Sequence, residues 1–156
     1  MISYTSRKHT FRILPSEAAA SHARRAVLAS ACFWGLPSGS DLAGTVQLLA
    51  SELITNAVCH AGSTSRWIVI TVQIDEDGRF GLGVQDDDPG DPQDRHEPVN
   101  STSGRGLAIV NALVAECRGR TTVERHHDGS KTVWAYIPDI HVGDGSPAVT
   151  VAASAA

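Results

Sequence analysis

Glu52-Leu53-Ile54-Thr55-Asn56-Ala57-Val58-Cys59-His60 places an acid, an amide and an imidazole four residues apart in an otherwise apolar run. Four residues turn a helix through ~400°, so each polar group stands ~40° round the axis and one turn above the last. The three share a face. Upstream, Ser40-Asp41 supplies a cap and Leu42, Val46, Leu49, Leu53 and Ala57 form an apolar stripe, with Ala61-Gly62 ending the helix. On that wheel Glu52 lies ~60° from Leu49 and ~100° from Leu53, so the polar row borders the buried stripe. It can line the mouth of a cleft, or form the solvated edge of an ordinary amphipathic helix. The downstream sequence decides between them.

The chain has 156 residues, a length suited to one domain with its own core. Its formal net charge is -4 and its 13 Lys+Arg are scattered, which argues against extended nucleic-acid or anionic-membrane binding. Cys32, Cys59 and Cys117 are far apart and lie in apolar, helical-looking stretches, so three buried, reduced thiols are expected. Residues Met1 to Thr10 lack an apolar leader core, and no 18-residue apolar run occurs. The expectation is a soluble cytoplasmic protein.

Around the central helix the pattern alternates between helices and strands. Thr10 to Leu14 reads as an opening strand, and Ser16 caps an Ala-rich helix over 18–33. Trp67 to Ile74 and Phe80 to Val84 flank Glu76-Asp77-Gly78 as a β-hairpin. Residues 86–103 hold Asp, Pro, Gly, Ser and Asn without apolar periodicity, a long loop of the kind that usually carries function or disorder. Gly106 to Cys117 is helical in pattern, Thr121 to Val123 and Thr132 to Ile137 flank the Asp128-Gly129 turn, and beyond Pro138 composition suggests a mobile tail. The domain is therefore expected over 1–137 and the tail over 138–156.

Two further segments carry chemistry. Val84-Gln85-Asp86-Asp87-Asp88-Pro89-Gly90 is an acidic turn directly after a buried strand. As a turn it is unremarkable in composition; as a site, an aspartate at a strand end accepts a hydrogen bond from an exocyclic amine such as that of adenine, and a nearby glycine such as Gly90 lets a flat ring approach the backbone. Ser103-Gly104-Arg105-Gly106-Leu107 opens a helix with two glycines, leaving N–H groups and the positive dipole end to meet phosphate oxygens. Arg105 adds a charged fork.

In this order, with a hairpin between the first two, the three segments resemble the GHKL ATPase superfamily (the Bergerat fold), and within it the anti-sigma-factor serine/threonine kinases and their actinobacterial relatives. Glu52 to His60 is similar to the family's N box, Val84-Gln85-Asp86 to its G1 box, Gly104 to Val110 to its G2 box, and Gly129 to Trp134 to its last strand. The resemblance implies an α/β (α+β) two-layer sandwich with a mixed, mainly antiparallel sheet covered by helices on one face. It implies ATP as substrate and Mg²⁺ as cofactor, with Asn56 as the metal ligand and Glu52 as the catalytic base. It implies that Asp86 reads the adenine amine, that Thr132 assists at the adenine pocket, and that Gly104, Arg105 and Gly106 cradle phosphates, with Gly90 and Leu107 also among the cofactor-binding residues. Asp91 to Thr102 would be a short lid. Its implied partners are an anti-anti-sigma protein and a sigma factor, with a homodimer as a further expectation and no role for nucleic acid or membrane.

One departure stands out. Where the family commonly has Asp-x-Gly-x-Gly, this chain has Asp88 in place of the first glycine. A carboxylate there adds negative charge near a polyphosphate, and Asp88 is expected to point to solvent. Two other functions compete. One is a nucleotide-loaded interaction switch without phosphate transfer, and the other is a histidine-kinase module. Against the second, Ser21-His22-Ala23-Arg24-Arg25 lacks an acid after the histidine and a proline downstream. His60 reads as a packing or capping residue, and His126-His127-Asp128 as a solvated turn.

Overall fold

The computed structural model describes residues 5–61, 65–90, 103–138 and 140. Its elements run β1 (Arg7–Ile13), α1 (Glu17–Phe33), α2 (Asp41–Ala61), β2 (Ile68–Ile74), β3 (Phe80–Asp86), α3 (Ser103–Glu116), β4 (Arg120–Arg125) and β5 (Lys131–Ile137). The five strands form one sheet in the order β1-β2-β3-β5-β4. Every pairing among them is antiparallel, so the mixed sheet anticipated above resolves into an antiparallel one. The helices pack in a layer on one face: α1 over β1 and β2, α2 over β3, α3 over β4 and β5. This is the expected two-layer α+β sandwich.

Local chemistry sets the element ends. The Ser16 hydroxyl accepts from the Ala19 amide at 3.2 Å and the Ser40 hydroxyl from the Ala43 amide at 3.1 Å, each satisfying a free donor of a first helical turn. In the β2–β3 turn Asp75 Oδ1 accepts the amides of Asp77 (3.1 Å) and Arg79 (2.8 Å), while Gly78 takes φ 74°. That conformation suits glycine.

Alternation in the strands follows the two faces. Ile68, Ile70, Val72 and Ile74 of β2 are buried against the helices, and so are Phe80, Leu82 and Val84 of β3. On the open face, β3 presents Gly81 and Gly83 opposite Tyr136 and Trp134. A Cβ on Gly83 would lie 2.8 Å from the Trp134 ring and one on Gly81 3.1 Å from Tyr136 Cε1, so the glycines let two stacked aromatics lie flat on the strand. From α2, Val46, Leu49, Ala50, Leu53, Ile54 and Ala57 enter the core. By length and composition α2 could cross a membrane, but here it is the core helix.

Three expectations change. β1 begins at Arg7 rather than Thr10, because its polar start is held by hydrogen bonds to α1 and its C-terminal end: Arg7 Nη1 donates to the Trp34 carbonyl (2.9 Å), and His9 Nδ1 meets Ser30 Oγ (2.9 Å). Cys59 is exposed and Cys32 and Cys117 are half-buried, so the thiols are free but not sealed in the core. Ile140 is buried and its amide donates to the Gly78 carbonyl at 3.2 Å, so packing continues past the boundary expected at Ile137. The expected lid, 91–102, and residues 141–156 of the expected tail lie outside the described residues.

Candidate functional site

The polar row of α2 meets the first turn of α3. Glu52 and Asn56 are half-buried, flanked by the buried Leu49, Leu53 and Ala57 that fix the helix on the sheet. A Cβ built on Gly106 would lie 2.8 Å from Glu52 Oε2, 2.9 Å from Asn56 Oδ1 and 3.1 Å from Asn56 Nδ2. Acid and amide therefore rest directly on the α3 backbone. Any side chain at position 106 would displace them.

Because α3 starts at Ser103, the glycines at 104 and 106 stand inside its first turn rather than in a loop ahead of it. The amides of that turn have no acceptor within the helix, and the dipole leaves partial positive charge there. Gly104 and Arg105 are placed by their backbone in this turn, while the Arg105 side chain lies outside the described residues. Leu107 packs against the core and anchors the turn from below. A carboxylate and an amide oxygen are hard donors suited to Mg²⁺, and open N–H groups suit phosphate oxygens. The donor set fits both.

At the end of β3, Asp86 is buried, with 5% of its surface exposed. Its Oδ1 accepts from the Asp88 amide and from Lys131 Nζ, both at 2.9 Å. Among the described residues no donor is bonded to Oδ2, and that atom is not sealed from solvent. It can take an incoming N–H.

Asp88 does not point to solvent as expected; it is 7% exposed. Its Oδ1 accepts from the Gly90 amide at 3.0 Å, its Oδ2 lies 3.7 Å from Lys131 Nζ, and its carbonyl accepts from the same ammonium at 2.6 Å. The burial is tolerable because Lys131, itself 4% exposed, brings a counter-charge and hydrogen bonds. Gly90 thus closes a tight acidic turn. Ser65 Oγ holds its other side by accepting from the Asp87 amide at 2.6 Å.

Thr132 is placed differently. By register it pairs with Gln85, one residue off the Asp86 position, and its hydroxyl meets His126 Nε2 at 2.8 Å. The residue that β5 delivers to Asp86 is Lys131, opposite it in the register. Sequence reading passed over Lys131; a lysine opening an otherwise apolar strand was the available signal. His60 sits half-buried in the last turn of α2, a position that suits the negative end of the helix dipole.

Displaced acidities fall elsewhere. The Ser130 hydroxyl and amide hold the Asp128 carboxyl below its usual value, with a smaller contribution from His126. Burial pushes the Tyr136 phenol up against the opposing pull of Arg120, and burial followed by Glu116 pushes the Cys117 thiol up. These groups belong to the β4–β5 hairpin and the end of α3.

Compared with known proteins, residues 14–137 match a family model described as a histidine kinase-like ATPase domain. That span runs from the start of α1 to the end of β5 and contains every residue of the site. No curated protein matches the chain.

Proposed function

The chain belongs to the histidine kinase-like ATPase domain family, and from that premise we propose that it is a Mg-ATP-dependent protein serine/threonine kinase of the anti-sigma-factor type. Its substrate is a hydroxyl on an anti-anti-sigma partner, and a sigma factor is a second protein it sequesters. The cytoplasm is the compartment this reading requires. One observation carries it: Glu52 and Asn56 converge on Gly106 in the N-terminal turn of α3, uniting segments separated by some fifty residues of chain.

The residues divide the work. Asn56 and the first-turn amides of α3 would hold the metal and phosphates. Bound Mg-ATP supplies the transferable phosphoryl group and the charge neutralisation that such transfer needs. Glu52, one turn from Asn56, accepts the proton of the incoming serine or threonine hydroxyl as its oxygen becomes the nucleophile. Asp86 Oδ2 accepts the adenine amine, which sets the register of the nucleotide. Retention of a carboxylate at position 52 favours transfer over a non-catalytic switch, since binding alone does not require a base.

The test is a Glu52→Gln variant incubated with Mg-ATP and host lysate, followed by phosphopeptide mass spectrometry. Phosphorylation of the captured partner should disappear while nucleotide binding stays within about twofold, because the amide preserves shape and removes only the base. Transfer at the wild-type rate would show that Glu52 is no base and leave the switch reading in its place.

A further inference from the structure

Lys131 is a buried cation in a strand that otherwise faces the core with Val133, Ala135 and Ile137. Its ammonium has three oxygen neighbours: Asp86 Oδ1 at 2.9 Å, the Asp88 carbonyl at 2.6 Å and Asp88 Oδ2 at 3.7 Å. Next to it Arg125 Nη1 donates to the Pro89 carbonyl at 3.3 Å. Two successive carbonyls of the acidic turn are therefore tied to the β4–β5 hairpin, and the stronger tie also grips Asp86.

We propose that Lys131 is the positioning residue for base recognition: by binding Oδ1 of Asp86 it orients the carboxylate with Oδ2 free for an exocyclic amine, and its charge, shared between Asp86 and Asp88, lowers the repulsion between the acidic turn and an anionic ligand. The proposal rests on the nucleotide reading of the site. Asp86 and Asp88 place two carboxylates within one turn, and without a cation they would repel each other and any phosphate. Lys131 meets both. A buried ammonium with this many partners is costly to strip, so a ligand amine adds to Asp86 rather than replacing the lysine. The departure at Asp88 and the lysine in β5 thus form one compensated pair. An aspartate replaces the expected glycine, and a lysine from the neighbouring strand, 3.7 Å from its carboxylate, offsets part of its charge.

The proposal is tested through base selectivity, which a purely structural role would not change. Binding of Mg-ATP and Mg-ITP, whose base has a keto group where adenine has its amine, is measured by calorimetry for wild type, Lys131→Met and Asp86→Asn. Wild type should prefer ATP by at least about tenfold, because Oδ2 pairs only with the amine. In Lys131→Met the preference should fall to within about twofold, matching Asp86→Asn, because the carboxylate is no longer held in one orientation. Should Lys131→Met fail to fold, Lys131→Arg retains the charge with a different head, and its preference should fall by at least about threefold. An unchanged ATP preference in the folded variant overturns the proposal. So does tighter ATP binding in Lys131→Met, which would make the lysine an occupant of the site instead of its support. If the wild type binds neither nucleotide, the nucleotide reading itself fails and takes this inference with it.

Discussion

Gly106 is the residue on which the site turns. Within a helix a glycine ordinarily costs up to ~1 kcal/mol relative to alanine, so its presence in the first turn of α3 calls for a reason. The reason is the pair of polar tips within 3 Å of where a Cβ would stand. Both tips end flexible side chains, so Gly106→Ala should leave the melting temperature unchanged or slightly raised while nucleotide affinity falls by about tenfold or more through loss of preorganisation. Thermal unfolding and calorimetry on the same sample separate the two effects; equal losses in both would mean that the glycine serves packing alone. At this scale the sequence was legible where chemistry is local. Glu52 and Asn56 share a helix face by spacing alone, and Asp86 is marked by its place after an apolar strand. Lys131 stands out in the sequence as a lysine opening an apolar strand, but its role is not legible there, since its partner is 45 residues away and only the β3–β5 register brings the two together.

The elements show the same division between local and distant causes. Their existence and order follow from periodicity and caps, whereas some ends are set by neighbours that a linear reading does not see. The close of α3 is an instance. Arg118 adopts φ 56°, its amide bonds the Ala115 carbonyl at 2.9 Å, and the Gly119 amide bonds the Val114 carbonyl at 2.7 Å. This is a Schellman cap with an arginine in the left-handed place that glycine usually takes. The glycine stands one residue later because a Cβ at 119 would fall 2.0 Å from the Tyr136 carbonyl oxygen. Adjacent substitutions should therefore have opposite signs. Arg118→Gly relieves the left-handed strain and should stabilise the protein by up to ~1 kcal/mol, reduced by the greater freedom of glycine in the unfolded chain. Gly119→Ala forces a methyl against a backbone oxygen and should destabilise by ~1–3 kcal/mol. Urea unfolding midpoints check both, and equal signs would contradict the cap geometry.

For the whole molecule, the site draws on α2, α3, the end of β3 and the start of β5, so a ligand bound there grips both layers of the sandwich. Such a ligand meets its partners only in the folded chain, because Glu52 and Asn56 reach Gly106 only through the packing of α2 on α3, and Asp86 reaches Lys131 only through the β3–β5 register. Mg-ATP should accordingly stabilise global unfolding by ~2.7 kcal/mol at a hundred times its dissociation constant. For a domain of this size each kcal/mol moves the midpoint by ~2–4 °C, so the melting temperature should rise by ~5–10 °C. Asn56→Ala removes the amide from the α2–α3 junction without touching the core, and it should abolish most of that rise while leaving the midpoint of the unliganded protein nearly unchanged. Differential scanning calorimetry with and without Mg-ATP reads both quantities. A rise of the same size in wild type and Asn56→Ala would place the nucleotide away from this junction, and the convergence on Gly106 would then need a different ligand to explain it.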